Sequence, residues 1–257
     1  MATAYECMTL EQMIARMKHY HPNADASLVE RAYAFAERVH GGQRRLSGEP
    51  YIIHPVYVAS ILTEIGIDAP TIAAGLLHDT VEDCKDVTLD VIRQEFGEEV
   101  AMLVDGVTKL SQLDFTDREE RQAETLRKMI LAMSHDMRVL MVKLADRLHN
   151  MSTLDFQKPH KQRRIAQETM DIYAPLANRL GLYLLKRQLE DLSFKYIDPV
   201  AFHEIAQLVG QRRVEREESI RRVISELSEK LDEQHIHYEM DGRPKHLYSI
   251  YKKMHGQ

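Results

Sequence analysis

Apolar side chains recur at helical spacing along almost the whole sequence. Between Asp25 and Gly42 they occupy positions 28, 29, 32, 35, 36 and 39, which share one face of a helix with about 3.6 residues per turn. Comparable patterns continue to about residue 197. The 257 residues include only 11 glycines and 8 prolines, so few positions interrupt helices or form tight turns. The sequence therefore predicts an all-α fold for this region.

The formal net charge of −6 argues against a surface that coats nucleic acid, because such surfaces are basic. No apolar run approaches the ~18 residues that cross a membrane, and the first residues lack the basic and apolar regions of a signal peptide. The two cysteines, Cys7 and Cys84, lie far apart in the sequence and are interpreted as reduced thiols. We expect a cytoplasmic protein that binds neither membranes nor nucleic acid directly.

The character of the sequence changes after about residue 200. A long, highly charged helical pattern is followed by the stretch HIHYEMDG, whose alternation of apolar and polar residues predicts a strand, and then by a basic tail. We therefore predict one domain over residues 1–197 and a second region over residues 198–257. This second region is expected to contain linker helices and to stop inside a further domain.

One apolar run, TIAAGLL, ends directly in His78 and Asp79. A buried imidazole or carboxylate needs a partner, and a divalent metal ion is one such partner. Asp146 lies within an apolar helical pattern, where aspartate is unfavourable, and His54 begins another such pattern. Together, these four side chains suit a divalent ion such as Mn²⁺ better than a thiolate-type zinc site. The alternative for each is a hydrogen-bonded core side chain without a metal.

Two acidic residues, Glu82 and Asp83, follow His78 and Asp79 by four positions. Residues four apart share a helix face, so these carboxylates could lie over a bound metal ion without ligating it. A carboxylate in that place could act as a general acid or base toward a water molecule. The alternative is a solvated acidic helix end.

Basic and amide side chains accompany the candidate ligands in sequence. Arginine matches the geometry of phosphate and can also stack on a base, so groups of cations near a metal site indicate a phosphorylated small molecule. Taken singly, each cation is more simply explained as a surface charge. The positions are Arg44 and Arg45 before His54, Lys143, Arg147 and Asn150 around Asp146, and Lys161, Arg163 and Arg164 beyond them.

Several blocks of sequence, taken in order, resemble a known family. HGGQRRLSGEPYIIHP, LLHDTVED, VDGVTKL, VKLADRLHNM and IYAPLANRLG are similar to the hydrolase domain of the RelA/SpoT family of bifunctional (p)ppGpp synthetase/hydrolases. That family is a branch of the HD-domain phosphohydrolases. The tail DGRPKHLYSIYKKM resembles the opening of the family's synthetase domain, which has an α/β nucleotidyltransferase-like fold.

The resemblance implies an HD-domain helical bundle that holds one Mn²⁺ ion and removes pyrophosphate from the ribose 3′ position of ppGpp or pppGpp, giving GDP or GTP. The family's metal ligands match His54, His78, Asp79 and Asp146, and its acidic catalytic pair matches Glu82 and Asp83. Its guanine loop matches Arg45 and Ser47, and its ribose and phosphate contacts match Asn150 and Thr153. Its ATP contacts in the synthetase domain match Arg243 and Lys245.

Two residues depart from the family's pattern: Leu46 stands where a lysine is expected, and Ser152 where an arginine is usual. Neither belongs to the metal set, so we expect an active hydrolase. Synthesis of ppGpp is not expected from this stretch of chain, and any ribosome contact would fall to other regions. The polar stretch Ser111–Gln122 is expected to move with a switch between the two activities. The rival hypotheses are an HD phosphohydrolase of another nucleotide and a nucleotide-sensing module without turnover.

Overall fold

The structure is a computed structural model and describes residues 7–111, 127, 135–211, 213–238, 240 and 245–256. In chain order, the α-helices are α1 Leu10–Tyr20, α2 Ala26–Val39, α3 Ile53–Ile65, α4 Ala69–Leu77, α5 Thr80–Asp83, α6 Leu89–Phe96, α7 Glu98–Ser111, α8 Met137–Ser152, α9 Pro159–Glu168, α10 Ala174–Arg179, α11 Tyr183–Ile197, α12 Pro199–Gln211, α13 Arg213–Glu233 and α14 Leu247–Met254. Among these described residues, β-type pairing is limited to an isolated bridge between Arg44 and Pro50. The all-α prediction is confirmed.

Side-chain caps begin several helices at residues whose types and spacing predict a helix start. Thr9 accepts a hydrogen bond from the backbone N–H of Gln12, whose side chain in turn accepts from the backbone N–H of Thr9, forming a capping box at α1. Asp25 caps α2 by accepting from the backbone N–H of Leu28. At the C-terminal end of α3, Gly66 adopts a left-handed conformation with φ 87°, which glycine reaches without the steric penalty of a Cβ atom.

Helix α4 lies at the centre of the bundle, between α2, α3, α7 and α8. Every residue of α4 except Pro70 is buried. Glycine at position 75 allows this close approach, because an added Cβ would lie 2.6 Å from Leu62 Cδ1 of α3. The side chains that follow α4 in sequence, His78 and Asp79, therefore emerge at the end of the most enclosed helix in this part of the fold.

The sequence APTIAAGLLHDTVED, residues 69–83, predicts one helix, but the structure interrupts this helix at His78 and Asp79. Helix α4 ends at Leu77 and α5 begins at Thr80, although the backbone of both intervening residues stays in the right-handed region. Two side chains bind carbonyls of the last turn of α4, since His78 Nδ1 lies 2.8 Å from the Gly75 oxygen and Thr80 Oγ1 donates to the Leu77 oxygen. Side-chain hydrogen bonds of this kind compete with the helix ladder, which explains the break.

The strand predicted at HIHYEMDG is wrong for its described residues. Residues 235–238 and 240 form no strand, and His235 has φ 53°. A strand is stable only when it is paired, and no described segment pairs with this one. The following helix, α14, packs on α12 and α11, where Asp191 accepts hydrogen bonds from the backbone N–H groups of Leu247 and Tyr248. The domain boundary near residue 197 stays a prediction.

Some predictions fall on residues that the structure does not describe. Ser111 ends α7, but residues 112–122 of the predicted switch segment lie outside the described residues, as does Arg243 of the tail. The segment AETLRKMILAMS also predicts a helix, and most of it lies outside the described residues. Among the residues that are described, no helix combines the length and the apolar character that a membrane crossing requires.

Gly106 of α7 lies so close to α8 that an added methyl group has no room. A Cβ atom at Gly106 would lie 2.7 Å from Val139 Cγ2 and 3.1 Å from its Cγ1, and valine is restricted at χ1 in a helix. Overpacking costs about 1–3 kcal/mol, while replacing glycine with alanine in a helix gains roughly 1 kcal/mol. We predict that Gly106→Ala lowers the free energy of unfolding by about 1 kcal/mol, measured by urea denaturation. In the Gly106→Ala protein, the further substitution Val139→Ala should recover part of the lost free energy of unfolding. If the effects of the two substitutions on the free energy of unfolding simply add, the close contact is contradicted.

Candidate metal centre and nucleotide pocket

Three helices bring the four predicted metal ligands together. His54 comes from the first turn of α3, His78 and Asp79 follow α4, and Asp146 lies in α8. One ligand atom from each of His54, His78 and Asp146 lies within 4.8 Å of the other two, and all three residues are buried. Asp79 is more accessible, and its carboxylate oxygens lie 3.2 Å from Nε2 of His54 and 3.2 Å from Nε2 of His78. These four side chains, called the metal cluster below, therefore have the size and composition of a site for one divalent metal ion.

His78 shows most directly that the cluster suits a metal ion. Its Nδ1 is 2.8 Å from the Gly75 carbonyl oxygen and donates to it, so Nε2 carries the lone pair. Nε2 is buried and, within the described part of the chain, has no hydrogen-bond partner. Burial lowers the pKa of His78 despite the nearby carboxylates, so the ring stays neutral. A neutral imidazole anchored through its other nitrogen is the usual form of a histidine metal ligand.

The two carboxylates of the cluster are held in their ionised form. The pKa of the Asp79 carboxyl is lowered although burial opposes its charge. Burial likewise opposes the charge on Asp146, whereas the ammonium of Lys143 holds the pKa of that carboxyl well below the usual range. Lys143 Nζ lies 2.8 Å from Asp146 Oδ2. Neutral imidazole and ionised carboxylate together form the donor set that Mn²⁺ accepts.

A cavity of about 460 Å³ opens beside the cluster. Most of the predicted substrate-binding residues line it, together with three of the ligand candidates. The lining residues are Arg44, Arg45, Leu46, Ser47, Tyr51, His54, Asp79, Lys143, Asp146, Asn150, Thr153, Phe156 and Gln157. Leu46 and Phe156 are 73% and 57% exposed, so the rim offers apolar surface as well as charge. The cavity is large enough for a ligand of nucleotide size.

Arg147 is the predicted substrate contact that the structure places elsewhere. Its Nη2 lies 2.7 Å from Glu168 Oε1 and 2.7 Å from the Tyr173 hydroxyl, and its guanidinium carbon lies 3.9 Å from the centre of the Tyr173 ring. Tyr173 ends a π-helical turn, Thr169–Tyr173. Arg147 is not among the residues that line the cavity. We therefore interpret it as a structural cation between α8 and the α9–α10 region.

The predicted acidic pair is connected to the metal cluster through Tyr51, a residue that the sequence analysis missed. The Tyr51 hydroxyl lies 2.6 Å from Asp83 Oδ2 and 2.8 Å from Asp79 Oδ2. A hydroxyl has a single hydrogen, so Tyr51 can donate to only one of these carboxylates at a time. Burial, followed by the charge of Asp79, raises the pKa of Tyr51, so it remains a donor. Glu82 is exposed on the same short helix, α5.

A histidine of α8 is the second residue that the sequence analysis missed. His149 Nδ1 lies 2.7 Å from His54 Nδ1 and 3.2 Å from Arg45 Nη1. Arg45 also donates to Asn150 Oδ1 at 2.8 Å. The sequence did contain a sign of this role, because His149 is adjacent to Asn150 and lies three residues after Asp146, on the same helix face. Its partners lie 95 and 104 positions away in the sequence.

Comparisons with known proteins show which family the chain is similar to. The HD-domain family model matches residues 32–183, more than half of the chain. A probable guanosine-3′,5′-bis(diphosphate) 3′-pyrophosphohydrolase from Synechocystis is 51% identical over 98% of this chain and 33% of its own length. The bifunctional (p)ppGpp synthase/hydrolase SpoT of Escherichia coli K12 is 48% identical over 96% of this chain and 34% of its own. A GTP pyrophosphokinase from Myxococcus xanthus is 48% identical over 99% of this chain and 34% of its own.

Among solved structures, a metazoan ortholog of SpoT, described as hydrolysing ppGpp and acting in starvation responses, matches with a TM-score of 0.50 and 25% identity. The match covers 67% of this chain and 97% of that one. The chain spans about a third of the length of the curated relatives described above. The chain belongs to the HD-domain family, and its relatives include (p)ppGpp synthases and hydrolases of the RelA/SpoT type.

Proposed function

We propose that this chain hydrolyses the ribose 3′-pyrophosphate of ppGpp and pppGpp, releasing pyrophosphate with GDP or GTP, and that it uses Mn²⁺. The observation that carries the proposal is the convergence of His54, His78, Asp79 and Asp146 beside a cavity of about 460 Å³. The similarity to proteins named as ppGpp hydrolases supports the choice of substrate. Two imidazoles and two carboxylates support a borderline to hard divalent ion.

A divalent ion bound by these four residues would supply Lewis-acid chemistry at the pyrophosphate and partly neutralise its charge. The remaining steps fall to the chain's own side chains. Asp83, which Tyr51 contacts, and the adjacent Glu82 are the proposed acid/base pair for the attacking water. Tyr51 keeps Asp83 oriented relative to Asp79, because its hydroxyl lies between the two carboxylates.

The cavity lining supports a guanine nucleotide carrying several phosphates. Lys143 and Arg45 supply positive charge, and the Arg45 guanidinium is fixed at two nitrogens by His149 and Asn150. We propose that Arg45 stacks on the guanine next to Ser47, and that Asn150 and Thr153 contact the ribose and phosphates. Leu46 gives the loop an apolar side chain where relatives of this type are expected to carry a lysine, so one cationic contact is replaced by surface that a base can cover.

Two rival functions remain open to experiment. An HD phosphohydrolase of another nucleotide would use the same metal cluster with a different base. A nucleotide-sensing module would bind ppGpp without turnover. The position of Asp83, joined to the metal cluster through Tyr51, favours turnover. We also propose that the protein acts in the cytoplasm and binds no nucleic acid through this region, consistent with its net charge of −6.

The central test is hydrolysis of ppGpp with Mn²⁺, with Mg²⁺ and with a chelator. We expect Mn²⁺-dependent release of GDP and pyrophosphate, slower release with Mg²⁺, and none with chelator. GTP, dGTP and guanosine 5′-monophosphate serve as parallel substrates that lack the 3′-pyrophosphate. Faster hydrolysis of one of these would favour the first rival, and tight ppGpp binding without turnover would favour the second.

We further propose that residues 1–257 alone do not synthesise ppGpp, because the resemblance to a synthetase domain begins only at Asp241. In that region, Lys245 is exposed and lies near Lys253. The assay is incubation with labelled ATP and GDP under the same metal conditions. Formation of ppGpp would contradict this part of the proposal and leave the hydrolase assignment untouched.

A further inference from the structure

His149 of α8 contacts a metal-ligand candidate and a nucleotide-binding candidate through one nitrogen atom. Its Nδ1 lies 2.7 Å from Nδ1 of His54 and 3.2 Å from Nη1 of Arg45. His54 and His149 are both buried, with 2% and 4% of their surfaces exposed. Hydrogen bonds between buried imidazoles need matching proton positions, so the tautomers here are constrained.

Arg45 determines those proton positions. A guanidinium donates hydrogen bonds and accepts none, so Nδ1 of His149 is an acceptor and carries no proton of its own. The proton between the two imidazoles then belongs to Nδ1 of His54, which donates to His149. When His54 is neutral, as a histidine that ligates a metal ion must be, this leaves Nε2 unprotonated, 3.2 Å from Asp79 Oδ2 and 3.3 Å from Asp146 Oδ1. A lone pair facing two carboxylates is stabilised by a cation between them.

His149 is suited to remain an acceptor. Its ring packs against Tyr57, with centroids 4.5 Å apart, which limits its rotation. The orientation of the acceptor atom is therefore fixed by packing and not only by its hydrogen bonds.

A second connection runs through the next residue of α8. Arg45 Nη2 donates to Asn150 Oδ1 at 2.8 Å, and Asn150 Nδ2 donates to Asp146 Oδ1. Arg45 is thus joined to His54 through His149 and to Asp146 through Asn150. The loop that carries Arg45 and the metal cluster share one hydrogen-bonded frame.

We propose that His149 is a positioning residue for both halves of the site: it orients His54 so that Nε2 faces the metal ion, and it holds the Arg45 guanidinium in the nucleotide pocket. Because the same packed ring holds both His54 and Arg45 in place, binding of the metal ion, which orders this ring, also orders Arg45, and the two binding events strengthen each other. The proposal rests on the proposed function in taking a guanine nucleotide as the ligand of the Arg45 loop.

Two substitutions separate the acceptor from the shape of the ring. His149→Phe keeps a planar ring and removes the acceptor, whereas His149→Asn offers an amide oxygen near the position of Nδ1, with two lone pairs for His54 and Arg45. We expect His149→Phe to weaken Mn²⁺ binding by the nucleotide-free protein about 10–100-fold, with His149→Asn within about threefold of wild type. Free Mn²⁺ is measured by electron paramagnetic resonance. GDP binding is measured by calorimetry in the presence of a metal chelator.

Nitrogen-15 NMR gives a signature that a general packing role would not produce. The Nδ1–H proton of His54 should be protected from exchange with solvent in the wild type and in His149→Asn. In His149→Phe this protection should be lost. Circular dichroism checks that both variants fold. Wild-type Mn²⁺ affinity in folded His149→Phe, or equal losses in the two variants, would overturn the proposal.

Arg45→Met, at a partly exposed loop position, tests the other connection without altering the core. We expect its nucleotide-free Mn²⁺ affinity to fall less than that of His149→Phe, because His149 Nδ1 can still accept from His54, and the increase in Mn²⁺ affinity that GDP produces in wild type to disappear. Persistence of that increase would overturn the coupling. None of these measurements needs turnover, so a failure to hydrolyse ppGpp would count against the proposed function alone.

Discussion

Asp79→Ala is expected to reduce ppGpp hydrolysis at least about 1000-fold, a loss of roughly 4 kcal/mol of transition-state stabilisation. The carboxylate of Asp79 lies 3.2 Å from Nε2 of His54 and 3.2 Å from Nε2 of His78, and it also accepts from Tyr51. Its removal takes away a proposed metal ligand and leaves Tyr51 with Asp83 alone. Both the binding of the metal ion and the placement of the acidic pair should suffer.

Two measurements test the role of Asp79. The first is the rate of GDP release at saturating Mn²⁺, and the second is the rise in melting temperature that Mn²⁺ produces, since a ligand that binds only the folded state stabilises it. Asp90→Ala is the matched control, because Asp90 is exposed on α6 and pairs with Arg93. We expect the control to keep both properties. An Asp79→Ala protein that retains the Mn²⁺-induced rise would show that Asp79 is not a ligand.

The candidate metal cluster could be predicted because three of its four members break a local rule. His78 and Asp79 end an apolar run, and Asp146 is an aspartate within a buried helical stripe. Polar groups are costly in such places unless they have partners, so the sequence itself indicates a shared partner. The similarity of several ordered blocks to one family then indicated that these distant positions meet. The structure confirms the all-α fold and brings the four residues together.

The remaining features depend on contacts that local patterns do not encode. Whether Arg147 faces the pocket or Tyr173 depends on a π-helical turn 22 to 26 positions further along the chain. The break after α4 arises because His78 and Thr80 bind nearby carbonyls, which helix propensity does not reveal. The roles of Tyr51 and His149 appear only once α3, α5 and α8 are placed side by side. Periodicity identifies which face of a helix is buried but not which polar atoms meet there.

Asp83→Asn and Glu82→Gln are each expected to lower kcat by about 10²–10⁴-fold while leaving Mn²⁺ affinity within about threefold of wild type. Both substitutions preserve shape and remove the capacity to accept a proton. Asp83 lies 2.6 Å from the Tyr51 hydroxyl, which also contacts Asp79, so this carboxyl is held beside the metal cluster without belonging to it. Glu82 precedes it on α5 and is exposed, where it can approach a substrate.

The control for the acidic pair is Asp86→Asn, since Asp86 is an exposed acid three residues beyond Asp83. We expect it to change neither kcat nor Mn²⁺ affinity. Tyr51→Phe adds a separate test: if Tyr51 only orients Asp83, its loss should lower kcat less than Asp83→Asn does, and combining the two should cost little more than Asp83→Asn alone. A drop in Mn²⁺ affinity as large as the drop in kcat would mean that the acidic pair supports metal binding instead of proton transfer. Full activity in both Asp83→Asn and Glu82→Gln would exclude the pair from the chemistry and leave the water to the metal cluster.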